Sequence, residues 1–147
     1  MRERKRRSDC PISCALDVLG DRWSLLIVRD ILLRGKTTHG AFRESSERIA
    51  TNILGDRLTY LEQKGIVSKR PNPDDGRSEI FALTEKGADL LPLLIAMTEW
   101  SGKHDETFLA SKQMRDEMNA FVETMKQVRR DLMMAERDQS DKPVPAL

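Results

Sequence analysis

Residues 51–83 read TNILGDRLTYLEQKGIVSKRPNPDDGRSEIFAL and contain a helical pattern followed by a hairpin pattern. In its first half, large aliphatic residues recur three and four positions apart, as they do on one face of an α-helix. These residues are Ile53, Leu54, Leu58 and Leu61. Gly65 follows them as a helix stop. The pattern predicts a helix with one apolar side that faces a core and one polar side that faces outward.

The second half of the same stretch predicts a β-hairpin. Residues 66–70 and 78–83 depart from the helical period and are short strand candidates on either side of a turn segment. The segment between them contains two prolines and an Asp-Gly pair, and these residues favour tight turns. Basic residues surround this turn, namely Lys69, Arg70 and Arg77, while Asp74 and Asp75 stand at its tip.

Three further helices are predicted upstream of residue 51. The first covers residues 11–19 and the second begins with Asp21 as its N-cap and ends at Gly35. A short third helix is expected at residues 37–43. The second and third of these helices and the helix described first follow one another closely, and a hairpin comes after them. This order of three helices and a hairpin is that of a winged helix-turn-helix. In that fold, the helix before the hairpin enters the major groove of DNA.

Two apolar patterns lie downstream of the hairpin. Thr84 is the predicted N-cap of one helix that continues through Leu90 to Trp100 and is apolar around most of its circumference. A later segment carries apolar residues alternately four and three positions apart, the spacing of a helix that packs along a seam. These residues are Met114, Met118, Phe121, Met125, Val128 and Leu132. Both patterns predict helices that need a partner surface.

Composition supports a mainly α protein with a small β-hairpin. The chain has 147 residues, of which 39% are hydrophobic, 33% charged and only 5% aromatic, as is typical of a chain rich in surface helix rather than of a β-sandwich. Residues 1–80 hold 16 basic and 12 acidic residues, whereas residues 81–147 hold 9 and 12. This asymmetry indicates a polyanion-binding N-terminal part.

Individual residues sharpen the prediction, because a series of short runs matches one bacterial family between Cys10 and Trp100. The runs are residues 10–12 (CPI), 15–23 (ALDVLGDRW), 49–54 (IATNIL), 56–58 (DRL), 61–62 (LE), 65–67 (GIV), 83–87 (LTEKG) and 91–100 (LPLLIAMTEW). In these runs the chain resembles the HxlR family of bacterial transcription regulators. The resemblance implies a homodimeric DNA-binding regulator, without catalytic activity, that recognises an inverted repeat.

The chain departs from the family pattern at two points. It continues well beyond Trp100, where family chains commonly stop, and it carries an additional thiol at Cys14. The expected organisation is a flexible basic arm (1–9), a winged helix-turn-helix domain with N- and C-terminal dimerisation helices (10–102), a helical extension (103–137) and a disordered tail (138–147). The lack of an apolar leader or of a stretch long enough to span a bilayer predicts a cytoplasmic protein.

The candidate DNA-binding residues follow from the polar side of the predicted groove helix, the preceding short helix and the hairpin. They are Lys36, Thr38, His39, Thr51, Asn52, Gly55, Asp56, Arg57, Thr59, Gln63 and Arg77. Asn52 can pair bidentately with adenine, and Arg77 can reach a phosphate or the minor groove. Asp56 either accepts from a cytosine amino group or, as we favour, holds a neighbouring arginine. The stem of Arg57 is expected to cover the core.

Cys10 and Cys14 are candidates for redox chemistry. A helix beginning at Cys10, with Arg6 and Arg7 nearby, favours a thiolate, and some members of the resembled family sense oxidants through the matching cysteine. The other interpretation, which we favour from the sequence, is a buried, inert thiol. The sequence contains no Gly-rich phosphate loop, nucleophile elbow or ligand-spaced His and Cys motif, so neither an enzyme nor a metal or cofactor site is expected.

The main alternative function is a winged-helix module that binds protein rather than DNA. The basic residues and polar groove face of the sequence favour DNA, but an amphipathic helix with a polar outer side fits either partner. A small-molecule effector also remains open, because no motif in the sequence identifies one.

Overall fold

The computed structural model describes residues 7–107 and 112–140. In chain order, its elements are α1 (Pro11–Leu19), α2 (Ser24–Arg34), α3 (His39–Arg43), α4 (Thr51–Gln63), β1 (Val67–Pro71), β2 (Glu79–Leu83), α5 (Glu85–Ala88), α6 (Leu91–His104) and α7 (Lys112–Ser140). The chain forms two compact units, residues 1–90 and residues 91–147. The predicted order of helices and hairpin is confirmed, and the first unit is a winged helix-turn-helix.

The core of the first unit forms around one face of α4. Leu54, Leu58 and Leu61 are all buried there. Aromatic packing joins α3 to the hairpin, because Phe42 of α3 meets Phe81 of β2 edge to face, with 6.2 Å between the ring centroids. The prediction that Ile53 also faces inward is wrong, since 36% of this residue is exposed. The buried positions repeat every three or four residues, and Ile53 stands one residue outside that stripe.

The hairpin is an antiparallel pair whose register runs from Val67 opposite Leu83 to Pro71 opposite Glu79. It is fastened to the helices by backbone hydrogen bonds. The amide of Phe81 donates to the carbonyl of Thr37, immediately before α3, over 2.8 Å. The wing is therefore held in place beside the helix-turn-helix.

The N-terminus of α2 lies two residues later than the sequence predicts, because Trp23 rather than Asp21 stands at the N-cap position. Asp21 does not stand at the cap position, but its Oδ1 accepts the amide hydrogens of Trp23 and Ser24 at 2.8 and 2.9 Å. The same carboxylate accepts a hydrogen bond from the Ser24 hydroxyl. Asp21 thus satisfies unpaired amides at the start of the helix, as a capping residue does, from a preceding turn.

The prediction of one helix from Thr84 to Trp100 is wrong. Thr84 caps the short helix α5, where its Oγ1 accepts the amide hydrogen of Gly87. A separate helix, α6, begins at Leu91, with Pro92 as its second residue. Proline lacks an amide hydrogen and clashes with the carbonyl four residues earlier, so it fits the first turn of a helix but not its middle.

In the second unit, α6 packs against α7. Met125 and Val122 of α7 are buried, and Lys126 reaches Glu99 of α6 with an N–O distance of 3.2 Å. Of the predicted seam, Phe121 and Val128 are half-buried, while the side chains of Met114, Met118 and Leu132 lie outside the described residues. Helix α7 continues to Ser140, so residues 138–140 of the expected tail are helical, and residues 141–147 lie outside the described residues.

None of the helices in the described ranges is long and apolar enough to cross a membrane.

Candidate DNA interface

The outward side of α4 is a continuous polar surface. Its members are all exposed and occupy one side of the helix, and we call them the α4 polar face: Thr51, Asn52, Asp56, Thr59 and Gln63. Short side chains with amide, hydroxyl and carboxylate groups can meet base edges without long flexible stems. The sequence predicts these residues as candidates for DNA contact, and the structure brings them together on one exposed side of α4.

Gly55 and His39 come together where α3 crosses α4. A β carbon built on Gly55 would lie 3.9 Å from Nε2 of His39, so no side chain separates the imidazole from the α4 backbone. The same imidazole meets Phe81 edge to face, with 6.3 Å between ring centroids. His39 is half-buried by these contacts. It fills the junction of α3, α4 and β2 beside the α4 polar face.

Arg57 is occupied within the protein. Its Nη1 lies 3.5 Å from Oδ2 of Asp21, and its guanidinium lies 4.9 Å from the centre of the Tyr60 ring. Burial raises the pKa of Asp21, but hydrogen bonds from Ser24 and Trp23 and the charge of Arg57 together hold it below its usual value. The expectation that the Arg57 stem lies on the core fits this half-buried position.

Asp56 does not play the part that the sequence suggested. We expected it to hold a neighbouring arginine, but none of the ion pairs between described residues involves Asp56. The adjacent Arg57 pairs with Asp21 instead. Consecutive residues of a helix point in directions about 100° apart, so Asp56 and Arg57 stand on different sides of α4. The Asp56 carboxylate is exposed on the α4 polar face.

Lys36 points into a buried polar cluster rather than outward. Its ammonium lies 2.6 Å from Oγ of Ser45 and 3.6 Å from Oδ2 of Asp30. Only 3% of Asp30 is exposed, and the Ser45 hydroxyl also donates to its carboxylate. From the sequence, Lys36 is a candidate for DNA binding and Asp30 carries no signal of its own. In the structure, Lys36 neutralises a buried carboxylate.

Arg29 and Arg34 also approach the carboxylate of Asp30. Arg29 donates to Asp30 and forms a bidentate pair with Glu47, with distances of 2.7 Å from Nη1 to Oε1 and 3.0 Å from Nη2 to Oε2. Arg34 approaches Asp30 at 3.4 Å. The hydrogen bonds from Arg29 lower the pKa of Glu47 to about 2. We call Arg29, Asp30, Lys36, Ser45 and Glu47 the Asp30 cluster; it ties α2 to the turn between α3 and α4.

The tip of the wing is ordered by its own polar groups. The amide of Arg77 donates to Oδ1 of Asp75 at 3.1 Å, and Asn72 pairs with Ser78 through both backbone and side chain. One carboxylate at the tip is therefore directed to the backbone. The side chain of Arg77 is exposed and forms no ion pair with any described residue.

Lys69 differs from Arg77, although both lie on the wing. Its ammonium lies 3.2 Å from Glu79 and 3.6 Å from Glu62. The hydrogen bond with Glu79 and the charge of Glu62 raise the pKa of Lys69. These pairs join the wing to the end of α4, so Lys69 is a bracing residue. Arg77 is the better candidate for a contact with DNA.

A groove separates α3 from the wing and brings several candidates together. It is lined by Thr38, His39, Arg77 and Phe81, with Asp75 and Glu79 at its wing side. The hydroxyl oxygen of Thr38 accepts the amide hydrogen of Ala41 at 3.3 Å, so Thr38 caps α3. The structure therefore gathers Thr38, His39 and Arg77 around one opening and leaves Lys36 apart from them.

Two exposed arginines near the helix-turn-helix turn were not among the sequence candidates. Arg43 is the last residue of α3, and Arg48 precedes the first residue of α4 by three positions. Neither forms an ion pair with a described residue. Arg48 also has a φ of 53°, a left-handed conformation. A basic residue close before a predicted groove helix was the signal that could have identified Arg48.

The two cysteines stand at the start of α1. Cys10 is exposed and occupies the N-cap position, and Cys14 is partly buried with its Sγ 3.5 Å from the carbonyl oxygen of Ser8. The alternative of a buried thiol is therefore wrong for Cys10 in the single chain. Arg7 lies 3.3 Å from Asp17. Arg6 and the rest of the basic arm up to it lie outside the described residues.

On α1 and on α6, exposed apolar side chains share one side of the helix. On α1, Ile12 and Leu16 are 72% and 59% exposed and stand four residues apart. On α6, the exposed residues Leu93, Met97 and Trp100 are spaced by four and three, so they also share one side of a helix. Contiguous apolar surface of this kind is typical of an interface.

No group of three or more potential metal ligands occurs within residues 7–107 and 112–140.

Sequence comparison places the chain among regulators of transcription. A family model described as HxlR-like helix-turn-helix matches residues 18–108. The regulator YodB of Bacillus subtilis is 33% identical over 98 residues, which cover 66% of this chain and 87% of YodB. An HTH-type transcriptional regulator of Synechocystis is also 33% identical, over 60% of this chain and 64% of its own length.

Solved structures give the same result. The reduced form of YodB is similar with a TM-score of 0.55 and 31% identity, over 68% of this chain and 98% of YodB. The oxidised form of the redox regulator HypR is similar with a TM-score of 0.57 and 29% identity, over 65% of this chain and 97% of HypR. The family model covers well over half of the sequence. The chain therefore belongs to the HxlR-like helix-turn-helix family of transcriptional regulators.

Proposed function

We propose that this protein regulates transcription by binding a specific DNA sequence through α4. The observation that carries the proposal is the α4 polar face, which is exposed beside a wing whose Arg77 has no ion pair with a described residue. In a winged helix-turn-helix, the helix before the wing docks in the major groove. The α4 polar face then meets the base edges and the wing meets the adjacent backbone or minor groove.

The proposed contacts divide into two classes. Asn52, in the first turn of α4, reads a base, because its amide can donate to and accept from adenine at once. Thr51, Asp56 and Thr59 contribute further polar contacts from the same face, and Gly55 allows close approach of the backbone. Arg77 holds the backbone or the minor groove through its charge. Thr38 and His39, at the start of α3, line the groove between α3 and the wing.

Two sequence candidates take a supporting role in this proposal. Arg57 is engaged with Asp21 and Tyr60, and Lys36 is engaged with Ser45 and Asp30. Moving either side chain to a phosphate would leave a half-buried or buried carboxylate without its cation, which is costly. We therefore propose that both residues position the helix-turn-helix and do not contact DNA.

The experiment is selection of bound sites from random duplex DNA by the purified full-length protein, followed by affinity measurements over a range of salt concentrations. An enriched inverted repeat and a steep loss of affinity with salt support the proposal, since displaced counterions make phosphate binding salt-dependent. Failure to enrich any sequence contradicts it. Binding to a protein partner that is insensitive to salt favours the alternative of a protein-interaction module.

We propose that the protein acts as a homodimer, in which a second copy covers the exposed apolar side of α1. Exposed Ile12 and Leu16 are the surface that supports this. Leu16→Glu should shift the sedimentation of the protein toward the monomer, because a charge cannot be buried there without a partner. Ala15→Glu, at the exposed neighbouring position, is the control. A full-length wild-type monomer at micromolar concentration contradicts the proposal.

We also propose that the thiol of Cys10 modulates DNA binding. Its exposure at the start of α1 supports this, as do relatives solved as a diamide-treated YodB and as the redox regulator HypR. Diamide should change the affinity for DNA, dithiothreitol should restore it, and Cys10→Ser should abolish the response. Cys14→Ser separates the two thiols. An affinity that diamide leaves unchanged in the wild type contradicts the proposal.

A further inference from the structure

Arg48 has a backbone conformation that its side chain does not favour. Its φ of 53° makes it the sole residue other than glycine with a positive φ in the described part of the chain. In this left-handed region, the β carbon of an L-residue crowds the following carbonyl, so glycine, asparagine and aspartate are the usual occupants. An arginine at this position therefore carries a conformational cost that a glycine would not carry.

The surrounding segment fixes this conformation firmly. The amide of Arg48 donates to the carbonyl of Ser45 at 3.0 Å, and Ser45 is itself buried against Asp30. On the other side of Ser45, its amide donates to Phe42 at 3.2 Å. Glu47 is clamped by both terminal nitrogens of Arg29. The Asp30 cluster therefore fixes the turn on both sides of Arg48, and this sets the position of the Arg48 backbone.

The neighbouring charges are neutralised by other residues. Glu47 is satisfied by Arg29, and Asp30 is satisfied by Arg29, Arg34 and Lys36. No described carboxylate forms an ion pair with Arg48, and the residue is exposed. A strained position thus presents an arginine outward, although a glycine would relieve the strain. Strain that persists at a surface turn is typical of a functional constraint.

We propose that Arg48 contacts a backbone phosphate of the bound duplex at the edge of the major groove. The inference rests on the proposed function, because it requires α4 to lie in that groove. Arg48 precedes the first residue of α4 by three positions. The N-terminal residues of a recognition helix approach the base edges, so the residues just before it lie where the phosphates line the groove. Most contacts of this kind fix the position of the protein on the duplex and carry no sequence information.

The test measures stability and DNA binding together in Arg48→Gly and Arg48→Lys. In Arg48→Gly the melting temperature should stay the same or rise, because the left-handed backbone suits glycine. The affinity for a selected duplex and for a scrambled duplex should both fall about five- to tenfold, and the slope of log affinity against log salt should decrease by about 1. Arg48→Lys should retain most of the affinity and the full slope. Arg129→Gln, which removes an exposed arginine from α7, is the charge-matched control.

Opposite movement of stability and binding is the result that a purely structural residue cannot produce. If Arg48→Gly binds the selected duplex as the wild type does, the phosphate contact is excluded while the proposed function stands. If stability and affinity fall in parallel, or if Arg129→Gln weakens binding equally, the inference is also overturned. If the wild type itself binds no duplex, the proposed function fails, and this inference fails with it.

Discussion

The hydroxyl of Tyr60 donates a 3.0 Å hydrogen bond to the backbone carbonyl oxygen of Asp17, so α4 is joined directly to α1. Two cations approach the same ring, with Arg57 at 4.9 Å and Lys64 at 5.6 Å from its centre. The helix that carries the α4 polar face is thus linked to the helix that begins at the cysteines. We expect a displacement of α1 to be transmitted to α4 through this contact.

Removing the hydrogen bond between Tyr60 and Asp17 should weaken the connection between α4 and α1 while the aromatic ring stays in place. Tyr60→Phe keeps the ring between its cations and leaves the Asp17 carbonyl to water, so the free energy of unfolding should fall by about 1 kcal/mol in urea titrations. The reduced protein should bind DNA as the wild type does, whereas any effect of diamide on affinity should become smaller. An undiminished diamide response in Tyr60→Phe would exclude Tyr60 as the connection.

Asp30→Asn should be strongly destabilising. The carboxylate is 3% exposed and holds Arg29 and Lys36, so an amide leaves buried cations without their counter-charge. We expect a loss of about 3 kcal/mol in the free energy of unfolding by chemical denaturation. Asp74→Asn, at the exposed wing tip, is the matched control and should change stability by less than about 0.5 kcal/mol. Similar stability of the two variants would show that the Asp30 cluster is not structural.

Stability should decline in acid partly through Glu47. Arg29 holds the pKa of this carboxylate at about 2 in the folded chain, below its ordinary value. A depressed pKa stabilises the folded state at pH values above the unfolded pKa, and this contribution is lost as the pH falls from about 4.5 to about 2. Because the pair is partly exposed, its contribution is about 1 kcal/mol or less. Glu47→Gln should flatten the acid limb of a pH–stability curve by that amount and lower stability at pH 7, and an unchanged acid limb would contradict the assignment.

Gly87→Ala should destabilise the first unit. A β carbon at this position would overlap the carbonyl oxygen of Ile66 and lie 3.0 Å from Cδ2 of Leu83, so α5 and the hairpin would have to move apart. Forcing a methyl group into such a contact costs about 1–3 kcal/mol. Gly76→Ala, at a glycine with open space around it, is the control for glycine's backbone entropy. A thermal melt of Gly87→Ala that matches that of Gly76→Ala would show that the close approach is unimportant.

The periodic elements could be predicted from the sequence because their signals are local. The helical spacing of Leu54, Leu58 and Leu61 and the turn residues of the hairpin each depend on neighbours within a few residues. The break at Pro92 was also readable in principle, since proline fits only the first turn of a helix. The family resemblance identified the fold and its class of function.

The parts that could not be predicted depend on distant residues. Lys36 appeared free beside a short helix, but Asp30 and Ser45 meet it only after α2 and α3 have packed. Asp56 and Arg57 are adjacent in sequence, yet Asp21 supplies the partner of Arg57. No local sequence pattern indicates which basic side chains are already paired with a carboxylate in the folded chain. Charge counts therefore overestimate the number of residues available for DNA.

The central claim is that α4 reads sequence while the wing holds the duplex, and one titration series tests it. The affinities of the wild type, Asn52→Ala and Arg77→Ala are measured on a selected operator and on duplexes with each base pair changed in turn. Asn52→Ala should lose about 1–3 kcal/mol on the selected operator and lose discrimination at a single position, whereas Arg77→Ala should weaken binding to every duplex alike. Equal losses for both variants across the whole panel would contradict the claim.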